Sequence, residues 1–131
     1  MKKTTREWVR KAEADHRAMT TLLRRRPPVH DVVCFHAQQC VEKYFKGLME
    51  EIGLAIPKTH DLDLLLPKLL PHHPALGSLR RGTTFLSNFA VGTRYPGKDA
   101  SKRQAAAAAR WCNRTRAKAR GLLGIRPTSS P

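Results

Sequence analysis

Apolar side chains recur at helical spacing along most of the chain, and no segment alternates with the period of two that a half-buried strand requires. The clearest element spans residues 31–52. At 100° per residue, Val33, Ala37, Cys40, Val41, Tyr44, Leu48 and Ile52 share one face, while His36, Gln39, Lys43, Lys46 and Glu50 share a second, polar face. Asp31 is placed to cap this helix and Gly53 to stop it. A preceding helix is predicted over residues 5–23, with Trp8, Ala12, Met19, Leu22 and Leu23 as its apolar stripe and Asp15 and His16 in the middle. Thr4 and Glu7 have capping-box spacing at its start. The run Arg24-Arg25-Arg26-Pro27-Pro28 ends it, because proline cannot continue a helix and restricts the residue before it.

Beyond the loop at residues 53–60, Asp61 can cap a short helix over residues 62–70 that Pro71 stops. A fourth helix is expected over residues 76–90, weakened by Gly82 and the Thr83-Thr84 pair. After a loop at residues 92–99, a long last helix covers residues 101–123. Its alanine run, Ala105 to Ala109, strongly favours a helix, and Gly124 and Pro127 end it. These elements predict an all-α, up-and-down bundle of four to five helices. One domain covers residues 1–126, with a frayed tail at residues 127–131.

Composition narrows the class. The 131 residues carry 25 Lys plus Arg against 10 Asp plus Glu, a net charge of +15. Residues 1–28 hold nine basic and three acidic side chains, residues 29–93 six of each, and residues 94–131 ten and one. Two cationic ends flank a neutral middle. That arrangement fits a surface for RNA, nucleotides or an acidic partner, and equally a merely solubilising charge. No stretch approaches the roughly 18 apolar residues of a membrane span. The amino terminus lacks the apolar core of a secretory signal. Cys34, Cys40 and Cys112 are odd in number and unpatterned, so reduced thiols in a cytoplasmic protein are expected.

The block Phe35-His36-Ala37-Gln38-Gln39-Cys40-Val41-Glu42-Lys43-Tyr44-Phe45-Lys46-Gly47-Leu48 resembles the long second helix of HEPN domains. Pro57-Lys58-Thr59-His60-Asp61-Leu62 and Arg94-Tyr95-Pro96 resemble that family's two other signatures. Trp8, Ala12 and Asp15 sit where its first helix carries a Trp, a small residue and an acid. The resemblance covers about residues 5–123 and implies a helical homodimer. It further implies a possible partnership with a minimal nucleotidyltransferase as toxin and antitoxin, and either metal-independent RNase activity or non-catalytic binding of nucleotides and partners. The family's catalytic mark is an Arg followed four to six residues later by a His at the start of a late helix. Here no His follows His73. Arg24 or Arg25 to His30 matches the spacing, but it crosses Pro27-Pro28 between the first two helices.

Cleavage without a metal needs a proton shuttle, for which His is suited, and a phosphate clamp, for which Arg is suited. His36, Gln39 and Lys43 are candidates for a ligand or dimer cleft, or an ordinary polar face. His36 is the most plausible substitute base, with Lys43 about two turns away on the same face. Arg94 can clamp a phosphate while Tyr95 stacks a base; alternatively Tyr95 plugs the bundle end and Arg94 pairs with an acid such as Asp15. Arg103, Arg110, Arg114 and Lys118 fall within about 80° on the last helix, a stripe for an RNA backbone or a solvated face. Ala105, Ala108, Trp111, Cys112, Ala119 and Leu122 form its apolar side. His60, His72 and His73 lack ligand spacing, so neither a metal nor a cofactor is expected.

Overall fold

The computed structural model of the chain describes residues 1–90 and 96–127. Five α-helices follow in order: α1 (Lys3–Leu23), α2 (His30–Glu51), α3 (Leu62–Leu69), α4 (Arg80–Ser87) and α5 (Lys102–Leu122), with a 3₁₀ turn, Pro74–Leu79, leading into α4. No strand occurs among the described residues. The long central helix α2 packs against α1 on one side and α5 on the other, and α3 and α4 close the bundle.

α2 is buried over most of its circumference because other helices surround it. Val33, Ala37, Cys40, Val41, Tyr44 and Leu48 are inside as their spacing requires, and Phe45 and Met49 join them. Ile52 does not; it lies beyond the helix end at Glu51 and is 37% exposed. α1 runs antiparallel to α2, so its first residues meet the far end of α2. Lys2 N–H and Thr5 Oγ1 both donate to Glu51, and Thr4 Oγ1 donates to Glu50. The expected Thr4–Glu7 capping box is absent for this reason: the helix starts earlier, at Lys3, and the Thr4 hydroxyl is spent on α2. Asp31 does not cap α2 either. The helix begins one residue before it, and its carboxylate accepts the Ala100 N–H at 2.5 Å, tying α2 to the chain entering α5.

Asp61 caps α3 as expected, accepting the Asp63 N–H at 2.9 Å. The single helix expected over residues 76–90 is two elements, the 3₁₀ turn and α4. Pro74 starts the first, and Thr83 and Thr84 serve the second by donating their hydroxyls to Asp63 of α3. Gly82 is there for space. A Cβ at this position would lie 2.3 Å from Trp111 Cε3, so only glycine lets the indole lie on α4. α5 carries a full capping box: Ser101 Oγ accepts the Gln104 N–H, and the Gln104 side chain accepts the Ser101 N–H. Its inner side is Ala105, Ala108, Ala109, Cys112 and Ala119, whereas Leu122, in the last turn, is 39% exposed. Small residues let α5 approach α2 closely, and Cys40 and Cys112 come into contact between them. All three cysteines are free and buried.

Candidate nucleic-acid interface

The polar face of α2 is consumed by ion pairs within the bundle. Asp15, buried on α1, accepts from His36 Nδ1 at 2.8 Å and from Lys43 Nζ at 2.5 Å. The structure therefore brings together His36 and Lys43, on one carboxylate. An ionised carboxylate only accepts, so His36 donates to it through Nδ1. Such a dyad orients an imidazole. The third member of the composite site, Arg94, lies outside the described residues, as does Tyr95.

Gln39 joins a second cluster. Its amide donates to Gln38 Oε1 at 2.8 Å and to Glu42 at 3.3 Å. Glu42, 4% exposed, also accepts from Lys46 at 3.0 Å and from His60 Nδ1 at 2.9 Å, and Gln38 Nε2 donates to the His60 carbonyl. This cluster pins the loop at residues 57–60 onto α2. Gln38 and Glu42 carry it; both lie in the block that resembles the family's second helix, but neither is a site candidate from the sequence. The available signal was two polar side chains four residues apart on the side of α2 that Phe45 and Met49 occupy, which must find partners when buried.

A third acid, Glu13, binds α5. Arg116 grips it through Nε and Nη2 at 2.7 and 2.8 Å, Arg120 lies at 3.5 Å, and the Tyr44 hydroxyl donates to it. Burial alone would raise this carboxyl. The Arg116 hydrogen bonds, with Tyr44 and the two guanidinium charges, outweigh burial and hold it near 2. Burial and the same hydrogen bond push the Tyr44 phenol upward.

Glu13 and Asp15 of α1 and Glu42 of α2 thus face partners inside the bundle, Arg116 and Arg120 of the last helix among them, whereas a second set of cations on that helix faces outward. Arg103, Arg110, Arg114 and Lys118 are all exposed, and none forms an ion pair among the described residues. Arg114 lies over the Trp111 ring, 5.0 Å from its centroid, which aligns the middle of the stripe. From Arg103 to Lys118 the stripe runs about 22 Å at 1.5 Å per residue.

Two concavities accompany it. A groove of about 600 Å³ between α1 and the end of α2 is lined by Trp8, Lys11, Lys46, Ile56, Pro57 and Lys58, among others. Lys46 sits over the indole at 5.9 Å, and a Cβ added at Gly47 would lie 3.2 Å from Trp8 Cβ, so the absence of a side chain there leaves room for the tryptophan. At the other end of the bundle, Arg24, Arg25 and His30 line one cavity, between the first two helices and not at the start of a late one. His60, His72 and His73 do not form a ligand set; among the described residues no three His, Cys, Asp or Glu are grouped to hold a metal. Among the described residues no helix is long and apolar enough to cross a membrane.

An antiparallel all-helical bundle, wound on one long central helix whose polar strip is paired to its neighbours, is the class this geometry defines. The HEPN domain model matches residues 5–118, and the chain belongs to that family. Two solved structures share its fold. TT1696 from Thermus thermophilus superposes with a TM-score of 0.78 at 22% identity, covering 89% of this chain and 96% of its own. ST0689, an archaeal HEPN homologue, gives 0.72 at 24% identity, covering 94% and 99%. No curated protein matches the chain.

Proposed function

We propose that this HEPN domain binds RNA through its outward cations and does not cut it, acting as a homodimer beside a minimal nucleotidyltransferase in a toxin–antitoxin pair. The observation that carries the reading is the division of charge. Glu13, Asp15 and Glu42 are held by partners inside the bundle, while the stripe on α5 stays unpaired among the described residues, in a chain of net charge +15. A phosphate backbone is the natural counter-charge for such a stripe, and neutralising it releases counterions.

Non-cleavage rests on the last helix, which presents cations but no His. Cleavage through a 2′-OH needs a proton acceptor and donor held with cationic support. The assay is RNA incubated with the protein in EDTA, native against His36→Ala and His30→Ala. Intact RNA is expected throughout. Robust native cleavage lost in His36→Ala would install the Asp15-oriented imidazole as a base, and loss in His30→Ala would install the Arg24/Arg25–His30 group. Coexpression with a nucleotidyltransferase encoded beside it, followed by copurification and light scattering, reads both partnerships; a lone monomer would remove them.

A second reading, a nucleotide-binding or scaffold module, is favoured by the Trp8 groove. An indole beside Lys11 and Lys58, with Glu7 and Glu50 also on the wall, suits stacking of a base.

A further inference from the structure

The turn between α1 and α2 contains three consecutive arginines, exposed yet gathered along one hollow. Leu23, Arg24, Arg25, Arg26, Pro28 and His30 form one wall of a cavity of about 380 Å³, and Lys102, Ala105 and Ala106 on the first turns of α5 form the other. No acid lines it. Asp31 and Asp99 line a separate cavity that shares Pro28 and His30 with it, and Asp31 is occupied by the Ala100 N–H. None of the three arginines, nor Lys102, has an ion-pair partner among the described residues. Four like charges around one hollow repel each other, and folding gains nothing by gathering them unless an anion fills the space. Pro27 and Pro28 limit the freedom of the turn, so the arginines are partly pre-arranged. Lys102 opens α5, where the helix dipole also favours negative charge. Ala105 and Ala106 leave the floor open, since a larger side chain at either position would fill it.

We infer that this cavity binds a terminal phosphate group, from the 5′ end of an RNA or from a free nucleotide. Guanidinium pairs take phosphate oxygens in a bidentate manner, His30 can donate one more hydrogen bond, and a hollow of this volume suits a small ligand. An internal backbone phosphate, flanked by two riboses, fits a hollow walled on two sides less well than a terminal one. The stripe on α5 begins at Arg103, next to Lys102, so an RNA held by its 5′ phosphate would continue along Arg110, Arg114 and Lys118. The inference thus rests on the RNA-binding function proposed above for the direction of the strand, but the pocket is defined without it.

The test compares one short single-stranded RNA carrying either a 5′ phosphate or a 5′ hydroxyl, together with ATP, by fluorescence anisotropy and calorimetry in EDTA. The proteins are the native chain, the loop variant Arg24→Gln/Arg25→Gln/Arg26→Gln, Lys102→Gln, and the control Arg110→Gln/Arg114→Gln/Lys118→Gln. All substituted positions are exposed, and circular dichroism checks the fold. The native protein should prefer the 5′ phosphate or bind ATP. The loop variant and Lys102→Gln should lose that preference or that binding by about tenfold or more, as expected for lost charge-assisted bonds. The stripe control should weaken both RNAs alike and keep the preference. Which arm responds, RNA or ATP, identifies the source of the phosphate. Equal binding of the two RNAs with no ATP binding, or identical losses in loop and stripe variants, would overturn the pocket while leaving RNA binding intact. ATP binding that depends on the loop, with no RNA bound at all, would uphold the pocket and overturn the proposed RNA function.

Discussion

Glu13 couples one side chain to the pH of the solution. Its carboxyl is lowered from 4.5 to about 2 in the folded protein, because the Arg116 grip, Tyr44 and Arg120 outweigh burial. A depressed carboxylate contributes stability that is fully present above its unfolded value and fades as pH falls toward the folded one. Thermal unfolding followed between pH 5 and pH 2 should therefore show native stability falling through that window. Glu13→Gln should be less stable near neutrality and should show a shallower fall. A curve parallel to the native one would mean the ion pair contributes nothing. Gly82 makes a steric prediction. Gly82→Ala forces a methyl against Trp111, 2.3 Å from Cε3. It should cost about 1–3 kcal/mol in urea unfolding, as overpacking does. Ordinary helix propensity predicts the opposite sign, since alanine is the better helix former by about 1 kcal/mol, so the direction alone decides.

At the scale of elements, periodicity located every long helix, because the apolar stripes of α1, α2 and α5 answer to burial and burial sets the fold. The ends were less legible. Thr4 and Asp31 look like caps in sequence, but each hydrogen-bonds to a distant segment, Glu50 and Ala100, and no local pattern announces that. Thr83, Thr84 and Gly82 read as weaknesses in a helix, yet they are contacts with Asp63 and Trp111. Of the candidate site, His36 and Lys43 were legible as one face, but not their shared Asp15, since the pairing needs the antiparallel α1–α2 packing. Where a cap does form, it can be tested. Ser101→Ala removes the acceptor for the Gln104 N–H and should destabilise the chain by about 1 kcal/mol. Chemical denaturation reads this, and an unchanged midpoint would mean the box contributes nothing to α5.

For the whole molecule, the governing feature is where charge is kept. Glu13, Asp15 and Glu42 are drawn into contacts within the bundle, and Arg24 to Arg26 at the α1–α2 turn and Arg103, Arg110, Arg114 and Lys118 along α5 are left outside. This sorting accounts for a HEPN fold whose last helix lacks a catalytic His and yet is strongly basic. The most direct test is the salt dependence of RNA affinity, measured for the native protein and for Arg110→Gln/Arg114→Gln/Lys118→Gln. Each phosphate contact on a single strand contributes about 0.7 to the slope of log affinity against log salt, so three lost cations should flatten it by about 2. A native slope that is steep, with the variant flatter by that amount, is the predicted result. Absent RNA binding, or a variant slope equal to the native one, would contradict the account.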